Sequence, residues 1–428
     1  MRNMRESGVD WIGTMPVDWQ LLTIGSLFKV RNEKVNDTDY PPLSVSKGGI
    51  VPQLENVAKT DANDNRKLVL ENDFVINSRS DRKQSCGVSS MKGSVSLINT
   101  VLYLVPHAPV IPEYMNYLLK NHGFAEEFYK WGHGIVADLW TTRWQEMKNI
   151  LLPIPTKEVQ SQILSRIGTE TQNINLLIAN VQTQIEKLKA YKQSLITEIV
   201  TRGLNKSVPV KESGVDWIEI IPQTWHISPL KTLFSFGKGL PITKENLIET
   251  GIPVISYGQI HAKWNTGVTT HTELYRFVSK EYLDSNPDSL VHKGDMIMAD
   301  TSEDKEGCGN CAYIDTDDTV FAGYHTIILK SLSKTNTKYL AYLFLTDHWR
   351  SQLRKQVSGV KLFSVSKRIL GSTTVLIPDC PEKIVAYLDD KCSQIDALIQ
   401  IKQAKIEKLE KYKKSIIYEY VTGKKEVL

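Results

Sequence analysis

The most regular pattern in the sequence is a seven-residue spacing of apolar side chains in two separate stretches. The first stretch has two rows offset by four positions: Ile174, Val181, Leu188 and Leu195, then Ile178, Ile185, Lys192 and Ile199. The second stretch repeats this arrangement: Ile395, Lys402, Leu409 and Ile416, then Ile399, Ile406, Lys413 and Tyr420. Alternating spacings of three and four are typical of a coiled-coil seam, so the sequence predicts two long helices, each with one apolar edge.

Both predicted helices have clear boundaries. An Ile-Pro pair precedes each of them, at Pro155 and Pro378, and a glycine follows each, at Gly203 and Gly423. Glycine is favoured directly after a helix because it adopts the left-handed conformation that ends the last turn. A continuous helix of about 45 residues would be roughly 65–70 Å long. Two such helices can bury their apolar edges only against each other or against another protein.

Two lysines interrupt the predicted seam at equivalent positions, Lys192 and Lys413. In one interpretation each lysine lays its methylene stem along the seam and extends its ammonium group into solvent. In the other, the two polar positions fix the register of the helices at a cost in stability. We favour the first interpretation and keep the second open.

The chain is an internal duplication. The seven residues Glu6–Ile12 (ESGVDWI) return unchanged as Glu212–Ile218, an offset of 206 positions. The later segment Ile185–Thr201 returns in similar form as Ile406–Thr422, at an offset of 221. The second copy therefore carries about fifteen additional residues, most of them between positions 260 and 295.

Between the repeated segments, each copy predicts a mixed α/β module. Short apolar stretches predict equivalent strands in the two copies, at Phe74–Ile76 and Met296–Met298, and at Thr100–Leu102 and Thr326–Ile328. Short helices are predicted after them, at Glu113–Asn121 and Lys338–Leu345. The expected fold is α/β (α+β), with two pseudo-two-fold-related modules separated by an antiparallel two-helix coiled coil. The segments are a first module (1–152), a first spacer helix (153–206), a second module (207–375) and a second spacer helix (376–428).

Composition narrows the class of protein without indicating its function. Lysine and arginine exceed aspartate and glutamate by only four, which by itself implies no partner. No apolar run approaches the ~18 residues of a membrane span, and the N-terminal residues lack the apolar core of a secretory signal. Five cysteines without framework spacing fit a reducing compartment. We therefore expect a cytoplasmic protein that does not contact a membrane.

The sequence contains no recognisable catalytic or metal-binding motif. Glycine-rich phosphate loops, a serine nucleophile elbow and a His-Glu-x-x-His motif are all missing. Asp295 and Asp300 have the spacing of a carboxylate pair, but the first copy has Ser78 at the second position. Cys308 and Cys311 form a single Cys-x-x-Cys without the second pair that a zinc site needs. We expect buried thiols, no metal and no catalytic residue.

The loop that follows the first predicted strand differs in chemistry between the copies. Residues 77–83 (NSRSDRK) are basic and rich in hydroxyl groups, whereas residues 299–306 (ADTSEDKE) are acidic. Arginine matches the acceptors of guanine, a carboxylate accepts from the cytosine amino group, and serine or threonine can contact base edges or phosphates. The loops therefore predict two different base preferences, although each is equally compatible with a solvated surface turn.

In the order and spacing of these features, the chain resembles the DNA-specificity subunits of type I restriction–modification systems. The resemblance rests on the repeated ESGVDWI segments, each followed by a Pro-x-x-Trp, on the two Ile-Pro pairs and on the paired Ile-Glu-Lys-Leu helices. It covers nearly the whole chain. Members of this family often carry a Glu-Gln pair after the proline; here the first copy has Glu158 and Gln160, and the second has Glu382 and Lys383.

The resemblance implies a non-catalytic subunit with two target-recognition domains, each reading one half of a split, asymmetric site in double-stranded DNA. It implies that the helices form a spacer that docks two methyltransferase subunits, with restriction and translocation subunits joining through the complex. No cofactor is expected in this chain, whereas S-adenosylmethionine, ATP and Mg²⁺ are expected on the partner subunits. The alternatives are a non-catalytic coiled-coil scaffold and a DNA-modifying enzyme that acts alone.

Candidate DNA contacts come from the two loops and from later segments that align between the copies. In the first module they are Ser78, Arg79, Arg82, Lys83, Thr141, Thr142 and Arg143. In the second module they are Thr301, Ser302, Glu303, Lys305, Lys361, Ser364, Lys367 and Arg368. Trp11 and Trp217 are expected to anchor the modules to the helices rather than to stack on bases.

Overall fold

The computed structural model describes residues 2–53, 64–134, 140–332, 336–359 and 361–427. It has a mixed α/β fold with two long helices, the first long helix (Lys157–Arg202) and the second long helix (Pro381–Val421). Each helix begins within three residues after the proline that the sequence analysis places before it, Pro155 or Pro378. Gly203 and Gly423 follow them with φ of 78° and 77°, the left-handed conformation that the sequence predicts for a residue after a helix.

The chain divides into two compact units. Unit 1 comprises Met1–Gln182 and Gln403–Leu428, and unit 2 comprises Thr183–Lys402. Each unit therefore contains one α/β module together with one segment from each long helix. Both boundaries between the units fall inside a long helix, so each long helix contributes one segment to each unit.

In unit 1 the strands are short, and the short helices are fewer than the strands. The strands are Met4–Glu6, Thr14–Pro16, Gln20–Thr23, Phe28–Val30, Lys34–Val35, Leu43–Ser46, Gly49–Pro52, Arg66–Val69, Phe74–Asn77, Cys86–Val88, Gly93–Val95, Asn99–Leu104 and Leu151–Ile154. The short helices are Ile24–Leu27, Ser80–Arg82, Pro112–Leu118, His122–Lys130 and Trp144–Met147. The predicted strands at 74–76 and 100–102 and the helix near 113–121 are confirmed.

Unit 2 has a similar order of elements. The strands are Val210–Val215, Ile218–Pro222, His226–Pro229, Phe234–Lys238, Ile252–Ile255, Arg276–Val278, Leu290–Val291, Met296–Ala299, Thr301–Ser302, Cys311–Tyr313, Val320–Ala322, Thr326–Ser331, Phe363–Ser364 and Thr374–Ile377. The short helices are Leu230–Thr232, Lys244–Asn246, Tyr257–Ile260, Thr272–Leu274, Tyr282–Ser285, Pro287–Ser289, Thr337–Phe344, Asp347–Arg354 and Lys367–Ser372. The predicted strands and the helix near 338–345 are confirmed here too.

Each module is built on a four-stranded antiparallel sheet with the same strand order in both units. The central pairing places Leu102 opposite Phe74 in unit 1 and Leu329 opposite Met296 in unit 2. Leu102 and Leu329 are therefore equivalent, which shifts the equivalence expected from Thr100 and Thr326 by one residue. Side-chain register in a sheet is fixed by which face is buried, and similar short apolar runs do not determine it from their letters alone.

The segments of the two long helices run antiparallel within each unit. In unit 1, Tyr420 Oη donates to Glu170 Oε1 at 2.6 Å, and Lys413 Nζ donates to Asn175 Oδ1 at 2.8 Å. Partner numbers therefore rise along one helix as they fall along the other. Ile174 is buried between them as the heptad spacing predicts.

In unit 2 the same antiparallel pairing buries Ile185, Leu195 and Ile395. Lys192 Nζ lies 2.7 and 2.8 Å from the two carboxylate oxygens of Asp396. Lys192, like the lysine at its equivalent position in unit 1, thus reaches a polar group on the opposite helix. This contact favours the second interpretation of the seam lysines, in which they fix the register, over simple extension into solvent.

Buried hydrogen bonds attach each module to the helix segments of its own unit. Tyr114 Oη donates to Val421 O at 3.1 Å in unit 1, and the equivalent Tyr339 Oη donates to Val200 O at 2.8 Å in unit 2. In unit 1, Trp11 O accepts from Tyr418 Oη at 2.8 Å, with the indole buried, so Trp11 anchors its module as expected.

Trp217 differs from Trp11 in what it contacts. Its indole is buried and donates from Nε1 to Thr374 Oγ1 at 2.8 Å, in the strand that precedes the second long helix. Trp225 lies near the end of the first long helix, where a Cβ at Gly203 would come within 3.0 Å of its ring. The hydrogen bond of Trp217 joins the start of its module to the strand Thr374–Ile377, which leads into the second long helix.

Candidate nucleic-acid interface

The two candidate segments of the first module meet in the structure. Ser80 N donates to Trp140 O at 2.9 Å, and Thr142 N donates to Ser78 O at 3.1 Å. Between these two hydrogen bonds, Arg79 and Thr141 form an isolated antiparallel bridge. The loop after the strand Phe74–Asn77 is thus held from behind by a segment more than fifty residues later in the chain.

The candidate segments of the second module meet in the same way. Thr301 pairs with Ser364 and Ser302 pairs with Phe363 in a short antiparallel ladder. Val365 N donates to the carbonyl oxygen of the residue before Thr301 at 2.8 Å. These positions correspond to those in unit 1 at offsets of 222 and 223, so the two units use one backbone arrangement to present different side chains.

Three of the candidate residues have buried side chains that stabilise this arrangement. Ser78 Oγ lies 3.0 Å from Thr100 Oγ1, and Thr142 Oγ1 donates to Phe128 O at 2.8 Å. Ser302 is buried at the position equivalent to Ser80. In their observed conformations these hydroxyl groups support the loops from within, and the side chains beside them face outward.

The basic side chains of the unit 1 loop are exposed but partly engaged. Arg79 donates from Nε and Nη2 to the two carboxylate oxygens of Asp81, at 2.9 and 3.1 Å. Arg82 is more exposed and makes one longer contact of 3.6 Å with the same carboxylate. Lys83 Nζ lies 3.1 Å from Glu126. Arg82 is therefore the least constrained cation of this loop.

Two further candidates of unit 1 lie in the segment behind the loop. Thr141 exchanges two backbone hydrogen bonds with His133, of 3.1 and 3.2 Å, so it is bonded on both edges. Arg143 is exposed, and its carbonyl oxygen accepts from Glu146 N and Met147 N at the start of a short helix.

The unit 2 loop presents a different set of groups. Thr301 Oγ1 donates to Asp300 Oδ1 at 2.7 Å, and Glu303 is exposed. Lys305 Nζ lies 5.7 Å from the ring centroid of Phe363, on the segment that supports the loop. Where Asp81 in unit 1 is bound by arginine, the equivalent Glu303 carries an exposed carboxylate.

The remaining candidates of unit 2 are all exposed at one end of the module. Lys361 and Ser364 flank the segment that pairs with the loop, and Lys367 and Arg368 start the helix Lys367–Ser372. Ser366 caps that helix by accepting from Ile369 N at 3.2 Å. Exposed cations of this kind are suited to phosphate contacts.

A cavity of about 710 Å³ lies beside the unit 2 loop, and several residues that line it are not among the candidate DNA contacts predicted from the sequence. Its lining includes Tyr257, His261 and His325 together with Thr301 and Glu303. The Tyr257 ring centroid lies 5.4 Å from that of His325, and His261 Nε2 lies 2.9 Å from Thr301 O. These residues are distant from the loop in sequence, and only the fold brings their rings to its edge.

His325 has an unusual backbone for a residue other than glycine. Its φ of 54° lies in the left-handed region, and its side chain is 60% exposed. Asp300 N donates to His325 O at 3.1 Å, and the Asp300 carboxylate lies 3.4 Å from His325 Nδ1. An exposed residue that has a strained backbone and is hydrogen-bonded to the unit 2 loop is a candidate DNA contact.

Comparison with known proteins identifies the family. Residues 222–411 match the family described as the type I restriction modification DNA specificity domain. Across 96% of this chain and 93% of its relative, the sequence is 24% identical to the type I restriction enzyme MjaVIII specificity subunit of Methanocaldococcus jannaschii. Residues 222–411 therefore belong to the family of type I restriction modification DNA specificity domains, and the chain as a whole is similar to a type I specificity subunit. This family supports DNA sequence recognition.

The fold agrees with a solved member of such a system. A chain in a structure described as the structural basis of complex assembly and conformational transition of the type I R-M system superposes with a TM-score of 0.66 at 14% identity. The match covers 95% of this chain and 98% of that one. The agreement therefore extends over both units rather than over a single module.

The residues considered for catalysis have structural roles. Asp295 is buried and accepts from Ser331 N and His292 N, both at 2.9 Å, while Asp300 is bound to Thr301 and His325. No cluster of three or more metal-ligating side chains occurs among the described residues of this chain. No helix in the described parts of the chain is long and apolar enough to cross a membrane.

The Cys-x-x-Cys pair consists of buried thiols, as expected. Cys308 and Cys311 are free and buried. Burial raises the pKa of the Cys311 thiol to about 11, and it raises the pKa of Cys308 in the same direction. A protonated, buried thiol is neither a good nucleophile nor a good metal ligand, so these cysteines act as small apolar core residues.

Proposed function

We propose that this chain recognises a bipartite, asymmetric site in double-stranded DNA and directs methyltransferase and restriction subunits to it. In this proposal residues 1–152 and 207–375 are the two target-recognition domains. The spacer helices at residues 153–206 and 376–428 form an antiparallel two-helix coiled coil between them. The chain itself is non-catalytic. S-adenosylmethionine, ATP and Mg²⁺ belong to the partner subunits.

The observation that carries the proposal is the shared backbone pairing of the two loops. Arg79 pairs with Thr141 in unit 1, and Thr301 pairs with Ser364 in unit 2, at equivalent positions. A common backbone directs side chains to the same region of space, while the basic loop and the acidic loop offer different donors and acceptors. Two domains of this kind read two different half-sites, which makes the whole site asymmetric.

The long helices support a spacer role. A helix of 46 residues is about 69 Å long, more than the ~34 Å that separates consecutive major-groove half-sites on one face of DNA. Joining two recognition modules through a stiff element makes the second binding event intramolecular, and it favours sites with one particular spacing. Because the chain is almost neutral overall, we expect weak DNA binding by the isolated chain and tighter binding within the complex.

Equivalent apolar side chains exposed on the helices support docking of two copies of one partner. Leu177 and Leu398 occupy equivalent positions and are 50% and 47% exposed; Tyr191 and Tyr412 are likewise equivalent, at 58% and 54%. In unit 1, Leu177 and Tyr412 lie at the level of the contact between Lys413 and its partner on the opposite helix. Paired exposed apolar groups, repeated once per unit, suit two methyltransferase subunits.

The decisive experiment is methylome sequencing of a host that expresses this chain together with its methyltransferase subunit. The expected result is one bipartite motif with unlike halves and a fixed spacer. Exchanging residues 207–375 with those of a relative should change one half of the motif and leave the other unchanged. A motif unaffected by the exchange would favour the scaffold alternative, and methylation or cleavage by the purified chain alone would favour the enzyme alternative.

A further inference from the structure

Unit 1 contains a cavity with a basic lining. It has a volume of about 450 Å³ and lies between the turn that joins two short helices and the end of the second long helix. Four lysines contribute to its lining, at positions 47, 120, 413 and 414. Among the described residues that line it, the one acidic side chain is that of Glu410. We call this cavity the basic recess.

Three of the four lysines have no carboxylate partner within ion-pair distance in the described parts of the chain. These are Lys47, Lys120 and Lys414. The fourth, Lys413, is bound to Asn175 at 2.8 Å and lies 3.8 Å from Glu410. Uncompensated positive charges that face one small volume repel each other, and an anion in the recess would relieve that repulsion.

The equivalent place in unit 2 has neutral residues where unit 1 has two of these lysines. Lys414 corresponds to Gln193 and Lys120 corresponds to Leu345, by the same offsets that relate the helices and the preceding tyrosines. Gln193 Nε2 donates to Leu345 O at 2.9 Å, so a neutral hydrogen bond spans the position where unit 1 has two lysines. The basic recess is therefore a local feature of one copy rather than a by-product of the shared fold.

A larger cavity of about 1240 Å³ in unit 1 extends from the recess to the loop at residues 77–83. Its lining includes Lys414 and His122, which also line the recess, and it extends to Ser80 and Lys83 of the loop. Lys83 forms an ion pair with Glu126 at the loop end of this cavity. In the basic recess, by contrast, three of the four lysines have no such partner among the described residues.

We propose that the basic recess binds the phosphodiester backbone of DNA on the flank of the half-site that unit 1 reads. This inference rests on the proposed function, because it assumes that the unit 1 loop faces a base pair. Ammonium groups on flexible stems suit phosphate, and such contacts contribute affinity without base specificity. The recess holds unit 1 on DNA through charge, whereas unit 2 has a neutral contact at the same place.

The test is binding of the full-length chain to a random-sequence DNA duplex at NaCl concentrations from 50 to 200 mM. The recess variant carries Lys120→Gln and Lys414→Gln. A matched variant carries Lys29→Gln and Lys34→Gln, two exposed lysines of the same unit that line neither cavity. Both variants lose two charges, and circular dichroism verifies that each retains the wild-type helix content.

The recess variant should bind about tenfold more weakly at 50 mM NaCl, and its slope of log affinity against log salt should be shallower by about 2. The matched variant should retain the wild-type slope. Equal slopes for wild type and recess variant would overturn the inference. So would unchanged DNA binding together with loss of methyltransferase subunits, because the recess would then bind an acidic protein segment. The proposed function is tested separately by methylome sequencing: absence of a bipartite motif with the wild-type chain would count against it, whatever the salt dependence of the variants.

Discussion

Lys192 and Asp396 form an ion pair between the two long helices of unit 2, and unit 1 uses the equivalent positions in reverse. Lys192 lies on the first long helix and its acidic partner lies on the second. In unit 1 the lysine is Lys413, on the second long helix, and its partner is Asn175, on the first. A polar contact at one level of an apolar seam specifies which residues face each other, at some cost in stability.

The two contacts should differ in their dependence on salt. A double-mutant cycle with Lys192→Met and Asp396→Ala should give a coupling energy of about 0.2–1 kcal/mol, because the pair is partly exposed. The coupling should fall between 50 mM and 500 mM NaCl as the charges are screened. The matched cycle with Lys413→Met and Asn175→Ala should change less, since asparagine is neutral. Urea unfolding of the full chain measures both cycles, and equal salt dependence would contradict this account.

A second polar contact of the helix pair should respond to pH. The hydrogen bond from Tyr420 is the largest cause that lowers the pKa of Glu170 from its ordinary value of 4.5, with Lys425 and Arg166 acting in the same direction. As the pH falls, the Glu170 carboxylate therefore binds a proton at a higher pH in the unfolded state than in the folded state. Stability from Glu170 is present above about pH 4.5 and is lost as the pH falls through the lower pKa of the folded state.

The corresponding experiment compares wild type with Glu170→Gln by thermal unfolding. The wild type should have the higher Tm at pH 7, and the difference should shrink toward zero as the pH is lowered through 4.5 to 3. Tyr420→Phe removes the principal hydrogen bond and should show the same trend with a smaller amplitude. A Tm difference that is constant from pH 7 to pH 3 would contradict the assigned cause.

Periodic features were predictable from the sequence because they are local. Seven-residue spacing determines which edge of a helix is apolar, and Ile174, Ile185 and Leu195 are buried accordingly. The duplication also predicted which loops correspond, since equivalent segments of one fold are held alike. The contact between Lys192 and Asp396 could not be predicted from the sequence, because the residue that faces Lys192 depends on the register between the two helices.

The side chains that face outward could not be predicted from the loop sequences. Ser78 and Thr142 have residue types that suit DNA contacts, but their hydroxyl groups bond inside the module. Tyr257 and His325 reach the unit 2 loop from other elements, and no sequence spacing relates them to it. Burial and long-range proximity are tertiary properties, so they emerge only once the sheet and its connections are in place.

The start of the first long helix is fixed to its module by one buried side chain, Gln160. Its Oε1 accepts from Ile111 N, and its Nε2 donates to Pro109 O and Pro155 O, each at 2.8 Å. Gln160→Ala should lower the free energy of unfolding by at least about 1–3 kcal/mol, because it leaves buried backbone groups without partners. Urea unfolding monitored by circular dichroism measures the loss.

The second copy provides the control for that substitution. Lys383 stands in the corresponding position after the second proline and is exposed. Lys383→Ala should change the free energy of unfolding by no more than about 0.5 kcal/mol, as is usual for exposed sites. Similar losses for the two variants would indicate that Gln160 acts only through helix propensity.

Arg79 and Thr301 occupy equivalent positions, so their substitutions should affect opposite halves of the recognised site. Arg79→Ala should relax the preference at one base pair of the unit 1 half-site by about 1–3 kcal/mol. Thr301→Ala should leave that half unchanged and alter only the other. Methylome sequencing reads both halves at once. An Arg79→Ala variant with the wild-type motif would remove Arg79 from the contacts and leave Arg82, which is less constrained, as the better candidate.

Substitutions of His325 can distinguish a role in DNA contact from a role in folding, because the backbone conformation at this position is unfavourable for most residues. At a φ of 54°, glycine is tolerated without strain, whereas a β-branched residue is not. His325→Gly should therefore keep or slightly raise the Tm, yet alter the base preference of the unit 2 half-site. His325→Val should lower the stability by about 1–3 kcal/mol. If His325→Gly leaves the methylated motif unchanged while the chain stays folded, the histidine serves the loop's conformation and makes no contact with DNA.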